Sequence, residues 1–578
     1  MLFRSRSSPL YHQFLTSDQF AAQFGPSDET VSRVTQELQA QGLNVTRFSP
    51  TLLHVSGTPT AVQNAFGVEL HMYEAPAGKS LTPAVEHYMA PVATNAPAVS
   101  LEGMQAVLGL DTRARYQSHI HKVPHAIKQP ATSQAAVATA DPPGEWTVVD
   151  FAQYYNAAPL YKHGITGAGK TIGIVTLASF TPTDAYAYWS AVGLTVAQNR
   201  ISEVQIDGGS GAPSDASGSD ETTLDVEQSG GVAPGAKIIV YEAPNTDQGF
   251  IDAFAKAIQS NQADAISTSW GEWEWFDETT NVKNPLTGRT VNVLQAQNAL
   301  FAQAALQGQS MSASAGDDGA YDVNDANVAP VPIFSKVLSV DSPASSPYIT
   351  AAGGTTLPGP QTFIINASGA LFTVNVPTEQ AWGWDYLNGL CQAVGAPDPV
   401  SCGTFPGGGG GGISSYQSIP LWQLLARNIR TSPSGQTLTE FDVTPPETFV
   451  TLPAGFHGRN VPDISMNADP NTGYIIFYTS NVQGPIVLDF FGGTSFVAPQ
   501  LAGMTALLDQ TARGRIGLLT PSLYLLASTS LAYHGNSAVL RDITAGDNWF
   551  FNAGAGYDQA SGVGVPNIAN MAALISWF

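Results

Sequence analysis

The chain reads as an α/β protein in which a small α/β domain and a linker precede a large domain built on a mainly parallel sheet. Three observations lead there. From residue 147 onward short apolar strands alternate with helical segments, the pattern of a sheet flanked by helices. Residues 118–146 are rich in Ala, Pro, Thr and His without periodicity, which marks a linker. The first 116 residues carry helix and strand patterns of their own. The expected boundaries are 1–116, 117–146 and 147–578.

Each element has a local reason. Thr16-Ser17-Asp18-Gln19 has the form of a helix start, and Val31, Val34 and Leu38 at spacings of three and four predict an amphipathic helix over 27–41. Residues 52–55 are strand-like, 60–66 helical, and 68–73 alternate like a strand. In the large domain, 170–175, 236–241, 265–269 and the small-residue run 310–315 predict strands, and 250–260 and 293–307 predict helices. Ligands of such sheets sit beyond the carboxyl ends of the strands. No internal repeat is present.

Composition narrows the function. The chain has 578 residues, enough for two to four domains, and its 43% apolar content can fill a large core. A net charge of −23 leaves no basic stripe for nucleic acid, and no apolar run reaches the length of a membrane span. Up to Ala140 there are 9 Lys/Arg and 9 Asp/Glu, so the whole excess of acid lies beyond it. Such a surface loses self-repulsion as pH falls, which suits an acidic medium as well as plain solubility. Seven of the ten histidines (His12, His54, His71, His87, His119, His121 and His125) precede residue 140. They are either exposed side chains or pH sensors. Cys391 and Cys402 can form a local disulfide in an oxidising compartment or remain a reduced pair. Residues 1–6 contain no apolar stretch of a signal peptide.

Candidate chemistry lies in three segments. Ser495, in Gly492-Gly493-Thr494-Ser495, precedes an apolar helical run over 500–508. Its N–H falls among the unpaired donors of a first helical turn, where negative charge is stabilised. Pro499 is expected in that same turn, where a missing N–H is tolerated. Glu221 and Asp225 are spaced i, i+4 on an apparent helix and repel unless a proton or bridge joins them. Asp317 follows the small-residue strand. The hexaglycine 407–412 lacks the Gly-Lys-Ser/Thr ending of a phosphate loop and reads as a flexible or substrate-approaching segment.

Together Glu221-x-x-x-Asp225, Ser-Ala-Gly-Asp317 and Gly-Gly-Thr-Ser495-x-x-x-Pro499 resemble the sedolisins, the serine-carboxyl peptidases. Val232-Ala233-Pro234-Gly235, Ser267-Thr268-Ser269-Trp270-Gly271 and Arg459-Asn460-Val461-Pro462-Asp463 add to the resemblance. So do Ser8-Pro9-Leu10-Tyr11 and Val55-Ser56-Gly57-Thr58-Pro59, which resemble the family's propeptide. None of the three later histidines stands in the His-Gly-Thr setting of subtilisin-like enzymes with a histidine base.

The resemblance implies a subtilisin-like catalytic domain behind a ferredoxin-like propeptide, here N-terminally incomplete. It implies Ser495 as nucleophile, Glu221 as base and then acid, Asp225 as its partner, and Asp317 as an oxyanion donor. A carboxylate base and a protonated Asp317 both call for acid. Asp542, Asp558 and the carbonyls of Ile543, Gly554 and Gly556 resemble the family's calcium site, hard oxygen ligands suited to one structural Ca²⁺. The expected protein is a secreted, monomeric, acid-acting endopeptidase zymogen. Polypeptides are its substrates, its propeptide is its intramolecular inhibitor, and removal falls between about Gln117 and Trp146. A tripeptidyl-peptidase and a catalytically dead binding protein are the rival readings. The Cys391–Cys402 segment reads as an insertion relative to the family.

Overall fold

The computed structural model describes residues 13–74, 87–93, 97–100, 102–110, 116–122, 142–275, 282–283, 290–324, 336–366, 369–433, 435–440 and 447–577. The N-terminal domain forms helices Ser17–Phe24, Asp28–Ala40 and Pro59–Phe66. Thr16, Ser27 and Thr58 cap them through side-chain oxygens, and Gln19 completes a capping box with Thr16. Its strands make two antiparallel pairs, Asn44–Arg47 with Leu53–Ser56 and Val68–Glu74 with His87–Ala93. Val34, Leu38, Leu43, Phe66 and Val68 fill its own core.

The large domain is organised by an eight-stranded sheet. Its strands are β1 (Thr171–Thr176), β2 (Ile201–Gln205), β3 (Lys237–Glu242), β4 (Ala265–Thr268), β5 (Ser310–Ser314), β6 (Thr350–Thr356), β7 (Gln380–Ala381) and β8 (Ile464–Asn467). The order is β7-β6-β5-β4-β1-β3-β2, with β8 also on β6. Every pairing is parallel except β6 with β7. On one face lie helices α1 (Ser219–Val232) and α4 (Thr494–Thr511), and on the other α2 (Asp247–Ser260) and α3 (Val293–Leu306).

All fourteen residues of α1 are buried, as is most of α4. The two helices pack directly on each other, and Gly503 is what lets them approach. A Cβ there would press on Val232 and on the carbonyl of Ser229. A helix buried all round has no polar face, which is why α1 shows no amphipathic period.

The N-terminal domain docks on α2 and α3. Leu15 N–H donates to the carbonyl of Leu306 (3.0 Å) and Ser17 Oγ to that of Gln259 (2.8 Å). His54 Nε2 lies 2.6 Å from Asp252 Oδ2, and Phe48, Leu52 and Leu108 pack on the apolar cluster beneath. Of the seven N-terminal histidines, His54, His119 and His121 face the large domain, whereas His71 neighbours Glu69 of its own strand. His12 and His125 lie outside the described residues, as does the side chain of His87.

Two expectations need correcting. The hexaglycine is not flexible: Gly407–Gly412 is buried, with Gly408 N–H donating to Asp317 O (2.9 Å) and Gly410 N–H to Gly316 O (2.8 Å). A Cβ at Gly410 would run into Ala315 O, so the glycines let backbone lie on backbone beneath the Asp317 turn. Nor is Pro499 in the first turn. It is the sixth residue of α4, where it removes the N–H that the carbonyl of Ser495 would accept, and Ser269 Oγ donates to that carbonyl instead (3.2 Å). Cys391 and Cys402, left open above, form a disulfide.

Burial pushes Asp509 up to about 8, and Asp252 and Glu274 up to about 7. Their folded values lie above those of the unfolded chain, so folding takes up protons between about pH 4 and 8. Stability from these groups is complete below about pH 4 and is lost as pH rises through their folded values. We therefore expect the thermal unfolding midpoint, followed by circular dichroism at fixed calcium, to be higher at pH 5 than at pH 8. A midpoint that rises with pH over this window would contradict the assignment.

Candidate active site

The site forms where α1, α4 and the ends of β4 and β5 meet. Gly493, with φ 107°, turns the chain into α4 and leaves Ser495 buried as its second residue. Ser495 Oγ donates to Glu221 Oε2 at 2.9 Å. Glu221 is the third residue of α1, and Asp225 follows one turn later. Asp225 Oδ1 accepts from Ser269 Oγ at 2.7 Å, the same hydroxyl that reaches the carbonyl of Ser495. Ser269 thus ties α1 to α4.

Glu221 Oε1 and Asp225 Oδ2 are buried without a hydrogen-bond partner among the described residues. One proton held between the two carboxyls would give both a partner. Burial raises both pKa values well above the ordinary range, and the Asp225 charge raises Glu221 further, while the bond from Ser495 acts against it. A pair of this kind titrates as a unit and keeps one proton over a wide range.

Asp317 sits just past β5, at a turn that Gly316 makes with φ 99°. Its Oδ1 accepts from Thr494 N–H (2.7 Å) and Thr494 Oγ1 (2.9 Å). Its Oδ2 is buried with no hydrogen-bond partner among the described residues, and burial pushes the carboxyl up to about 7. In its protonated form that oxygen is a free donor.

Part of the expected linker fills this site. Gln117–Ser118 pairs antiparallel with Trp270–Gly271, and His121–Lys122 pairs antiparallel with Phe491–Gly492. Between them His119 N–H donates to Ser269 O (3.1 Å), and the carbonyl of His119 accepts from Ser495 N–H (3.2 Å). A Cβ at Gly493 would strike both that carbonyl oxygen and Asp317 Oδ2, so the two oxygens converge over this glycine. The chain therefore crosses the cleft extended, with the His119 carbonyl on the serine's N–H and beside the carboxyl of Asp317.

The side chain of His119 enters a buried acidic pocket. Its Nδ1 is 2.7 Å from Ser314 Oγ and its Nε2 is 3.1 Å from Asp341 Oδ2, with Asp322 alongside. Four carboxyl neighbours, Asp341, Asp318, Asp317 and Glu274, add to burial in raising Asp322. Tyr116, three residues before His119, is buried against Phe250, and its OH donates to Asp247 Oδ1 at 3.3 Å. Sequence reasoning brought together Ser495, Glu221, Asp225 and Asp317; it had Ser269 and Ser314 only as members of motifs and His119 only among exposed or pH-sensing histidines, and assigned nothing to Asp322 or Asp341. Only the loop geometry gathers these, and no spacing signals them.

The expected metal residues meet at the C-terminal loops. Gly556 N–H donates to Asp542 Oδ2 (2.9 Å) and Gly554 N–H to Asp558 Oδ2 (3.0 Å). Asp542 Oδ1 is buried with no hydrogen-bond partner, and the carbonyls of Ile543, Gly554 and Gly556 accept no hydrogen bond among the described residues. A set of idle oxygens with two carboxylates fits a hard divalent cation.

Residues 1–111 match the family model described as Pro-kumamolisin, activation domain, and residues 193–531 that of the Subtilase family. The chain is 31% identical to kumamolisin of Bacillus sp. (strain MN-32) over 96% of its length and 84% of the relative's. It is 21% identical to tripeptidyl-peptidase sed1 of Aspergillus fumigatus (strain ATCC MYA-4609 / CBS 101355 / FGSC A1100 / Af293), over 97% and 86% of the two chains. Among solved structures, Pseudomonas sedolisin, a serine-carboxyl proteinase complexed with two molecules of pseudo-iodotyrostatin, superposes with a TM-score of 0.55 at 26% identity, covering 75% of this chain and 99% of the other. With its activation domain and its buried serine and carboxyl groups, the chain belongs to the sedolisin family of serine-type peptidases.

Proposed function

We propose that the protein is an acid-acting serine-carboxyl endopeptidase made as a zymogen that cuts its own chain between His119 and Ile120. The observation that carries this reading is the extended run 116–122, whose His119 carbonyl meets the N–H of the same serine whose hydroxyl is bonded to Glu221.

The chemistry follows from these contacts. Ser495 Oγ attacks the His119 carbonyl carbon while its proton passes to Glu221. The negative charge that forms on the carbonyl oxygen is met by Ser495 N–H and the O–H of Asp317. The C–N bond then breaks as Glu221 returns the proton to the Ile120 nitrogen, leaving an acyl-enzyme. Water attacks that ester with Glu221 again as base, and Ser495 is released. Asp225 holds the one proton of the resting pair and keeps Glu221 aligned. Above about pH 7 Asp317 loses its proton and becomes a like charge beside the oxyanion, so turnover is confined to acid. The reading includes export of the protein to an acidic exterior, in keeping with its excess of carboxylates and its disulfide.

The acidic pocket around Asp341 and Asp322 favours a cationic side chain before the cut bond: protonated His, Lys or Arg. Tyr116, fourth before that bond, is itself seated in the cleft with chain preceding it. This supports an endopeptidase over a tripeptidyl-peptidase, which must end its cleft after the third residue.

Asp542 and Asp558, with the carbonyls of Ile543, Gly554 and Gly556, would hold one Ca²⁺. Bound there, the cation would neutralise two carboxylates and clamp the C-terminal loops. Acid competes by protonating them.

Two experiments test the reading. Incubated at about pH 4, the full chain should yield a new N-terminus at Ile120, found by N-terminal sequencing. Ser495→Ala should stay intact, His119→Lys should process, and His119→Leu should process at least ~10-fold more slowly by loss of its charged partner. A cut elsewhere, or in Ser495→Ala, would reject the mechanism. Chelation at pH 6 should lower the unfolding midpoint by several degrees, on the order of 1–2 kcal/mol, and Asp542→Ala should lose this response. An unchanged midpoint in the parent protein would remove calcium from the account.

A further inference from the structure

Beyond the cut bond the segment meets a second built feature. His121 is the second residue after the His119–Ile120 bond, and its backbone is fixed by pairing with Gly492. Its ring stands edge-on to two indoles, 4.9 Å from Trp384 and 5.6 Å from Trp382. Its Nδ1 is 3.9 Å from Asp317 Oδ2.

The two tryptophans are fixed walls. They are fully buried, and Trp384 Nε1 donates to Asp469 Oδ1 at 2.9 Å. From behind, the hexaglycine leaves no slack. A Cβ at Gly407 would press on the Trp384 ring, and one at Gly354 would press on both Trp382 and Gly409. Trp382 Nε1 is buried with no hydrogen-bond partner among the described residues. Two indoles held by so much glycine backbone, one without a partner for its N–H, are costly for packing alone. They make sense as the walls of a slot.

We propose that Trp382 and Trp384 form a specificity slot for a flat, π-bearing side chain two residues after the cut bond, and that the enzyme prefers His or an aromatic residue there. This rests on the reading that 116–122 traces the substrate path. A ring in the slot makes T-shaped contact with two indoles, an arrangement favoured over contact with an aliphatic side chain. It also lies against Asp317 and excludes water from the carboxyl that must keep its proton. Substrates with a small residue at this position leave Asp317 wetter. They therefore lose turnover as well as binding, and lose it at lower pH.

The test uses processed enzyme and internally quenched peptides Tyr-Gln-Ser-His-Ile-X-Lys with X = His, Phe, Tyr, Ala, Leu or Asp, cleavage being located by mass spectrometry. We expect His, Phe and Tyr within about threefold of one another in kcat/KM and Ala about tenfold lower. The alkaline limb of kcat for X = Ala should fall at lower pH than for X = His. Trp384→Leu should bring the His and Ala peptides within about twofold of each other. Equal kcat/KM and superimposable pH profiles for X = His and Ala, with the cut still at His–Ile, overturn the slot and leave the cleavage mechanism standing. Cleavage of no peptide, or cleavage at another bond, overturns the substrate path and the slot with it.

Discussion

The structure depends on burying several carboxyl groups around one cleft. Glu221, Asp225, Asp317 and Asp322 are all removed from water around one serine, and among the described residues no Lys or Arg pairs with them. Burial of that kind disfavours the charged form, so the groups hold protons at pH values where ordinary carboxyls have released them. A histidine base would be cationic in the same acid and unable to accept the serine's proton. Carboxyls with raised pKa values supply both a base and a neutral donor there.

Close helix packing creates this environment. Helices α1 and α4 bring Glu221 and Ser495 together from opposite ends of the domain, at a spacing that Gly503 permits. Pro499 leaves the carbonyl of Ser495 without its helical partner, and Ser269 uses that vacancy to bridge Ser495 and Asp225. Beneath Asp317 the hexaglycine stacks backbone on backbone, holding the turn while packing behind Trp384. Side chains in this segment would push apart the strand end and the indoles together.

Much of this was legible in the sequence because it rests on local signals. Strands β1, β3, β4 and β5 announce themselves as apolar or small-residue runs, and Ser495, Glu221, Asp225 and Asp317 lie in motifs whose spacing has chemical meaning. The rest depends on contacts distant in the chain. A fully buried α1 has no amphipathic period to read. The polar, aperiodic 117–122 looks like linker because its strand partners are hundreds of residues away in Trp270–Gly271 and Phe491–Gly492. Asp341 and Asp322 carry no local mark, since only the loops after β4 and β5 make a pocket of them. The hexaglycine misled for a related reason: glycine suggests freedom, and packing on other backbone is what removes it.

In the proposed mechanism a carboxyl kept protonated by burial, Asp317, donates to the oxyanion. The most direct measurement is the pH dependence of kcat at saturating substrate for the processed enzyme and for Asp317→Asn. The amide keeps a donor at every pH. The account predicts that the parent loses turnover as pH rises through about 7, whereas the variant, lower in absolute rate, shows no such fall there. An alkaline limb unchanged by the substitution would contradict it.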